Sequence, residues 1–231
     1  MKEGFKVLSV GLDSENKIVL YTRGINYTSI RPVPSHLLWE KTNPDGIVYA
    51  EADCGQLKEH VAPQENCSCG IYTKNDLERL DTEAYTDKGL VFHLGLWGKI
   101  VQGGSGNRSQ YAGLLAPFPK MCGACANPAT QVVVVDAPSL GLSHTVYRCA
   151  DHWGYSEVRF VTTYAISFED LARRYNVHVA WEAYPEIVRL EQTKKYRRAS
   201  ELVGQAIDEY SNAITGELVE AMFFLQEDEL A

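Results

Sequence analysis

Short apolar runs bounded by turn residues dominate the first half of the chain and predict β-hairpins. Residues 5–22 hold two such runs joined by the polar turn GLDSENK. Residues 90–118 hold two longer runs that meet at the glycine-rich turn GGSGN. Gly95 and Gly98 interrupt the first of these longer runs, which indicates a bulge or a sharp bend in that strand.

The second half of the chain changes from strand patterns to helical ones. The apolar segments 132–137 and 157–164 predict two more strands, and 178–181 predicts a short closing strand. Between them, Ser167 and Asp170 have the spacing of a capping box and predict a helix that begins at residue 168. From residue 184 onward the apolar spacing is helical. The pattern predicts an α+β chain, in which a β-rich module (residues 1–183) precedes a helical tail (residues 184–231).

Composition narrows the class of protein. Of the 231 residues, 45% are hydrophobic and 23% are charged, which excludes a wholly disordered chain. The net charge of −8 argues against a protein that coats nucleic acid without sequence preference. No apolar run reaches the length of a membrane span, and the first residues lack the apolar core of a signal peptide. We therefore expect no membrane association and a cytoplasmic location, where thiols stay reduced.

Four residues in the second half have the spacing of a zinc site. Cys122 and Cys125 form one Cys-x-x-Cys pair, and Cys149 and His152 form a second pair after 23 intervening residues. Each pair can bind a tetrahedral metal ion from a tight turn, and the intervening segment is long enough for a β-hairpin. The spacing predicts a zinc-ribbon or treble-clef-like knuckle inserted over residues 122–152.

The remaining cysteines form a second set of the same composition. Cys54, His60, Cys67 and Cys69 lie within sixteen positions, so the six cysteines divide into two Cys3His sets with none left over. The spacing of this first set matches no named zinc finger, and an iron–sulfur cluster is the minor alternative. Disulfides would leave one thiol of each set unpaired, and a catalytic thiol would leave its neighbours unexplained. Inert buried cysteines are the remaining alternative.

Two sets of four protein ligands predict two zinc ions per chain, each with a closed coordination shell. Such a shell leaves no position for water or substrate and is typical of a structural site. No nucleophile elbow and no His-Glu-x-x-His pattern occurs in the sequence. The sequence therefore favours a non-enzymatic, zinc-stabilised binding or adaptor protein. The alternative is a metal-dependent hydrolase or nuclease in which one metal site keeps an open position.

The helical tail supplies the candidate partner-binding residues. A basic cluster can contact nucleic acid or an acidic protein surface, or can simply be solvated. An apolar stripe can pack back on the module, dock into a partner or mediate self-association. The basic residues are Lys194, Lys195, Arg197 and Arg198, and the stripe includes Leu218, Met222 and Leu225. We expect a macromolecular partner, and the acidic chain favours a protein over nucleic acid.

Several blocks of the sequence resemble a family of uncharacterised proteins of actinobacteria and their phages. The resemblance spans residues 4–180 and is most specific at Cys-Ser-Cys-Gly-Ile-Tyr (67–72) and at Leu-Trp-Gly (96–98). A His-x-x-Pro element at 60–63 and the segment 173–179 also match. The chain departs from the family by its 122–152 insert and its tail. The resemblance implies a phage or actinobacterial origin, and with it the cytoplasm of a bacterial host, but it implies no reaction.

Overall fold

A computed structural model describes residues 1–22, 37–54, 60–78, 80, 89–125, 127–137, 142–152, 162–190 and 192. The chain divides into two compact units, Met1–Val188 and Arg189–Ala231. The second unit is described only at residues 189, 190 and 192, and all the predicted partner-binding residues of the tail lie outside the described part. Among the described residues, no helix has the length and apolar character needed to cross a membrane.

Antiparallel strands account for most of the regular structure in the first unit, which confirms the predicted β-rich module. The larger sheet has eight strands: Lys2–Leu12 (β1), Ile18–Thr22 (β2), Leu37–Leu38 (β3), Lys41–Thr42 (β4), Val48–Glu51 (β5), Ile71–Lys74 (β6), Gly89–Gln102 (β7) and Gly106–Pro117 (β8). The smaller sheet has three strands: Gln131–Ala137 (β9), Leu142–Arg148 (β10) and Thr162–Ser167 (β11).

Helical structure in the described part of the first unit is sparse. One α-helix, Phe168–Arg174 (α1), follows β11, and Ser167 caps it as predicted by accepting a hydrogen bond from the backbone N–H of Asp170. Two 3-10 turns cover Ala150–His152 and Trp181–Ala183, and residues 184–188 are helical. The predicted strand over 178–181 is wrong. The N–H of Ala180 donates to the carbonyl of Pro117 in β8, and the N–H of Trp181 donates back to the carbonyl of Val179, where the chain turns.

The long strand β7 organises the larger sheet, because it pairs with β1 along one edge and with β8 along the other. Strand β6 pairs with β8 and, through one residue pair, with β1. The four strands β1, β7, β8 and β6 therefore close into a ring of hydrogen-bonded neighbours. Strands β2 and β3 continue from β1, and β5 and β4 continue from β8. Both predicted hairpins, β1–β2 and β7–β8, are confirmed.

The bend predicted in β7 occurs at Gly98. The strand pairing shifts between Trp97 and Ile100, so that two residues of β7 lie opposite one residue of β8. Gly98 has φ of 72°, and a side chain there would place Cβ 2.7 Å from a ring carbon of Tyr111. Glycine is therefore required for the bulge. Gly95, in contrast, lies in regular register with β8.

The smaller sheet is part of the same hydrophobic core as the larger one. Val132 and Val134 of β9 are fully buried and belong to one cluster with Leu8 of β1 and Leu94 of β7. The buried hydroxyl of Thr145 in β10 also donates a hydrogen bond of 3.1 Å to a backbone carbonyl of β1. The segment predicted as an insert is thus built into the core, and its hairpin cannot separate from the module without exposing apolar surface.

Candidate metal centres

The second ligand set lies at the open end of the β9–β10 hairpin. Cys122 and Cys125 belong to the turn before β9, and Cys149 and His152 begin and end the turn after β10. Each pair is closed by the same kind of bond, from the backbone N–H of the later residue to the carbonyl of the earlier one, at 3.3 Å and 3.1 Å. Pairing of the two strands brings these matching turns together.

The ligand atoms of the second set have the spacing that one metal ion requires. The Sγ atoms of Cys125 and Cys149 are 3.6 Å apart, and Nδ1 of His152 is 3.2 Å from Sγ of Cys149. All four ligand atoms, including Sγ of Cys122, lie within 4.8 Å of one another. Tetrahedral zinc with bonds of about 2.3 Å separates two sulfurs by about 3.8 Å, whereas a disulfide holds them at about 2.05 Å. The geometry fits a metal and excludes a disulfide between these two thiols.

The first ligand set connects β5 to β6. Cys54 follows β5, and Cys67 and Cys69 immediately precede β6. The Sγ atoms of Cys54 and Cys67 are 3.7 Å apart, and Nε2 of His60 is 3.2 Å from Sγ of Cys69. These four atoms also lie within 4.8 Å of one another, and all six cysteines of the chain are free thiols. In each of the two sets predicted from the sequence, the four ligand residues therefore lie close together in space.

The residues that follow the first set explain why its loop folds as it does. Gly70 has φ of 119°, and a Cβ there would lie only 2.9 Å from the Cβ of Pro63. Only glycine fits this backbone conformation and this close approach. Ile71 is 2% exposed and anchors the end of the loop in the core, while the hydroxyl of Tyr72 donates to the carbonyl of Ser68 at 2.6 Å. The Cys-Ser-Cys-Gly-Ile-Tyr block therefore combines the end of the ligand loop with Ile71 and Tyr72, the two residues that hold it in place.

An arginine on a neighbouring strand also binds this loop. Arg108 of β8 pairs in register with Tyr72 of β6, and its guanidinium donates to four backbone carbonyls of the loop. The acceptors are the carbonyls of Gln64, Glu65, Cys67 and Cys69. The sequence gives no signal for this role, because an arginine between polar strand residues has the pattern of a solvated side chain.

The pKa values of two of the thiols, Cys122 of the second set and Cys69 of the first, shift in opposite directions. Burial opposes ionisation of Cys122, but backbone N–H groups, that of Ala124 foremost, outweigh burial and lower its pKa to about 6. Burial raises the pKa of the Cys69 thiol, and the neighbouring thiols of Cys67 and Cys54 raise it further. Three thiolates packed this closely repel one another, so a bound cation is needed to ionise them all.

Each set offers four protein ligand atoms, which is the number that a tetrahedral metal shell requires. Cys54 and Cys67 are buried in the first set, as are Cys122 and Cys149 in the second, while the histidine of the second set is exposed. Within the described ranges, no other group of histidine, cysteine and acidic residues has the spacing to hold a metal. The arrangement can hold two metal ions per chain.

Comparisons with protein-family models, with curated proteins and with solved structures find no match to this chain. The geometry of the two sets therefore carries the functional argument.

Replacing one ligand in each set should destabilise different parts of the molecule. Cys149→Ser should cost more than about 4 kcal/mol of local stability, because loss of a structural metal is among the largest single-residue effects. Hydrogen exchange should accelerate in β9 and β10 while β7 and β8 stay protected.

Cys69→Ser is the matched control, and its effect should appear in the loop at 60–69 and in β6 instead. Wild-type exchange rates in both variants would contradict a structural role for the metals. Uniform acceleration along the whole first unit in both variants would contradict two separate centres.

Proposed function

We propose that the protein is a non-enzymatic binding protein whose β-rich module is stapled by two structural zinc ions. The observation that carries the proposal is that both Cys3His sets supply four convergent ligand atoms within 4.8 Å. Four protein ligands close a tetrahedral shell, which is typical of structural zinc. The zinc-ribbon character predicted for residues 122–152 is part of this proposal. It is supported by the two matching turns, one before β9 and one after β10, at the open end of the hairpin.

Zinc suits these ligand sets better than an iron–sulfur cluster does. Sulfur-to-sulfur separations of 3.7 Å and 3.6 Å match ligands that share one ion. A cluster with several iron atoms would distribute the four ligands over more than one iron, so they would not all lie within 4.8 Å of one another as they do here. Mixed thiolate and imidazole ligands in a tetrahedral set also favour zinc over magnesium or calcium, which prefer oxygen.

The stabilising role follows from where the ligands lie. The described part of the first loop, residues 60–69, contains one backbone bond between its own residues, from the N–H of Cys67 to the carbonyl of Gln64, and the second set closes the open end of a hairpin. Zinc binding by such sites has an apparent free energy of about 10 kcal/mol or more, comparable with the net stability of a whole domain. A metal therefore holds in place segments that strand pairing does not reach.

The described surface also offers a face suited to a protein partner. Tyr49 of β5, Trp97 of β7 and Tyr111 of β8 form a half-buried aromatic cluster on neighbouring strands, and the last two rings stack with centroids 5.8 Å apart. Tryptophan and tyrosine are enriched among the residues that dominate protein interfaces. With a net charge of −8, the chain favours a protein partner over nucleic acid. The tail residues named from the sequence remain a second candidate surface.

X-ray absorption on the purified, metal-loaded protein tests the structural role of the metals. Closed Cys3His sets should give an average of three sulfurs and one nitrogen per zinc, with sulfur at about 2.3 Å and nitrogen at about 2.0 Å. An oxygen ligand in place of a sulfur or nitrogen would instead support the hydrolase or nuclease alternative. Absence of zinc from both sets would overturn the proposal.

A matched pair of tryptophan variants tests the binding face. Trp97→Ala should weaken binding of a partner, once captured and purified, by about 2 kcal/mol or more, as expected for a central aromatic contact. Trp181, which is 36% exposed outside this cluster, is the control, and Trp181→Ala should leave binding unchanged. Equal affinities for Trp97→Ala and wild type would exclude this face. A capture abolished by nuclease treatment would contradict a protein partner.

A further inference from the structure

We infer that Arg108 is a positioning residue of the first metal centre, where its guanidinium sets the shape of the ligand loop and thereby the affinity for the metal. The inference rests on the proposed metal role of Cys54, His60, Cys67 and Cys69. It assigns a function to a residue of strand β8 that is remote in sequence from all four ligands.

The contacts of Arg108 converge on the segment that carries two of the thiols. One terminal nitrogen lies 3.3 Å from the carbonyl oxygen of Gln64 and 3.1 Å from that of Cys69, and it also donates to the carbonyl of Cys67. The other terminal nitrogen lies 3.5 Å from the carbonyl oxygen of Glu65. The planar guanidinium reaches these four carbonyls from two nitrogens, whereas an ammonium group has three donors on one nitrogen and would leave at least one carbonyl without a bond.

The backbone groups of the loop explain why a donor from outside the loop is needed there. The backbone N–H of Gln64 faces the Cys69 thiol, and the N–H of Cys67 donates to the carbonyl of Gln64. Because these N–H groups are used inside the loop, they do not bond the part-buried carbonyls of Cys67 and Cys69. A part-buried carbonyl without a donor carries a desolvation cost. Arg108 donates to both carbonyls and holds the loop in this curvature.

The charge of the loaded site points to the same residue. Three thiolates, one neutral imidazole and a divalent zinc ion carry a net charge of −1, and the guanidinium of Arg108 carries +1. The guanidinium binds the carbonyls of Cys67 and Cys69, so the positive charge lies next to two of the ligand residues. It offsets the net negative charge of the loaded site without occupying a coordination position.

The arginine is itself held in place from two sides. Its guanidinium carbon lies 5.7 Å from the ring centroid of Tyr72, a cation–π contact, and the hydroxyl of Tyr72 returns to the loop at Ser68. On the other side, the missing side chain of Gly70 leaves room for the arginine stem, since a Cβ there would come within 3.1 Å of the Cβ of Arg108. Arg108, Tyr72 and Gly70 therefore form one clasp around the ligand loop. Residues that bind metal ligands from outside the coordination shell orient those ligands in this way.

Metal competition on two variants of the full chain tests the inference. Arg108→Lys keeps the charge and loses the fork, and Arg108→Gln keeps donors and loses the charge. Each should weaken zinc binding at the first set by about 10- to 100-fold, measured by competition with a chromophoric chelator. The second set on the same chain should keep its wild-type affinity and so reports an intact fold. Arg173→Lys, at an exposed arginine of α1, is the control and should leave both affinities unchanged.

Three results would be decisive. Wild-type affinity at the first set in both Arg108 variants would overturn the inference, and wild-type affinity in Arg108→Lys alone would overturn the role of the fork. A loss at both sets together would also overturn it, because the effect would then be global. Failure of the metal proposal looks different, since the wild-type protein itself would then bind no zinc at the first set.

Discussion

Mutual repulsion among closely packed thiolates is the constraint that both ligand sets must satisfy. Each set gathers three cysteines and a histidine within 4.8 Å, and the Sγ atoms of Cys54 and Cys67 are only 3.7 Å apart. Such a cluster is stable in its ionised form only around a cation. Under the proposed zinc role, ion binding and loop ordering are coupled, as they are in small structural metal sites.

The β framework supplies the precision that the ligands need. For the second set, the pairing of β9 with β10 fixes the distance between two matching turns, and the core contacts of Val132 and Val134 fix the hairpin itself. For the first set, Ile71 anchors the end of the loop, while Arg108 binds its carbonyls from β8. One centre is thus positioned by a hairpin and the other by a clasp from a neighbouring strand.

Local sequence patterns predicted what depends on local physics. Apolar runs and turn residues identified both hairpins, the spacing of Ser167 and Asp170 identified the cap of α1, and cysteine spacing identified both ligand sets. Such patterns could not predict contacts between segments that are far apart in sequence. The closure of the ring by β6, the shared core of the two sheets and the bonds from Arg108 join residues far apart in sequence. The short strand predicted at 178–181 failed because no neighbouring strand pairs with it among the described residues.

Native mass spectrometry can establish whether each chain holds two zinc ions as part of its folded structure. We expect a folded species carrying two zinc ions, which changes to the metal-free mass with six free thiols when the protein is unfolded in acid. A compact, native-like species without metal, or one whose cysteines have paired as disulfides, would exclude two structural zinc ions.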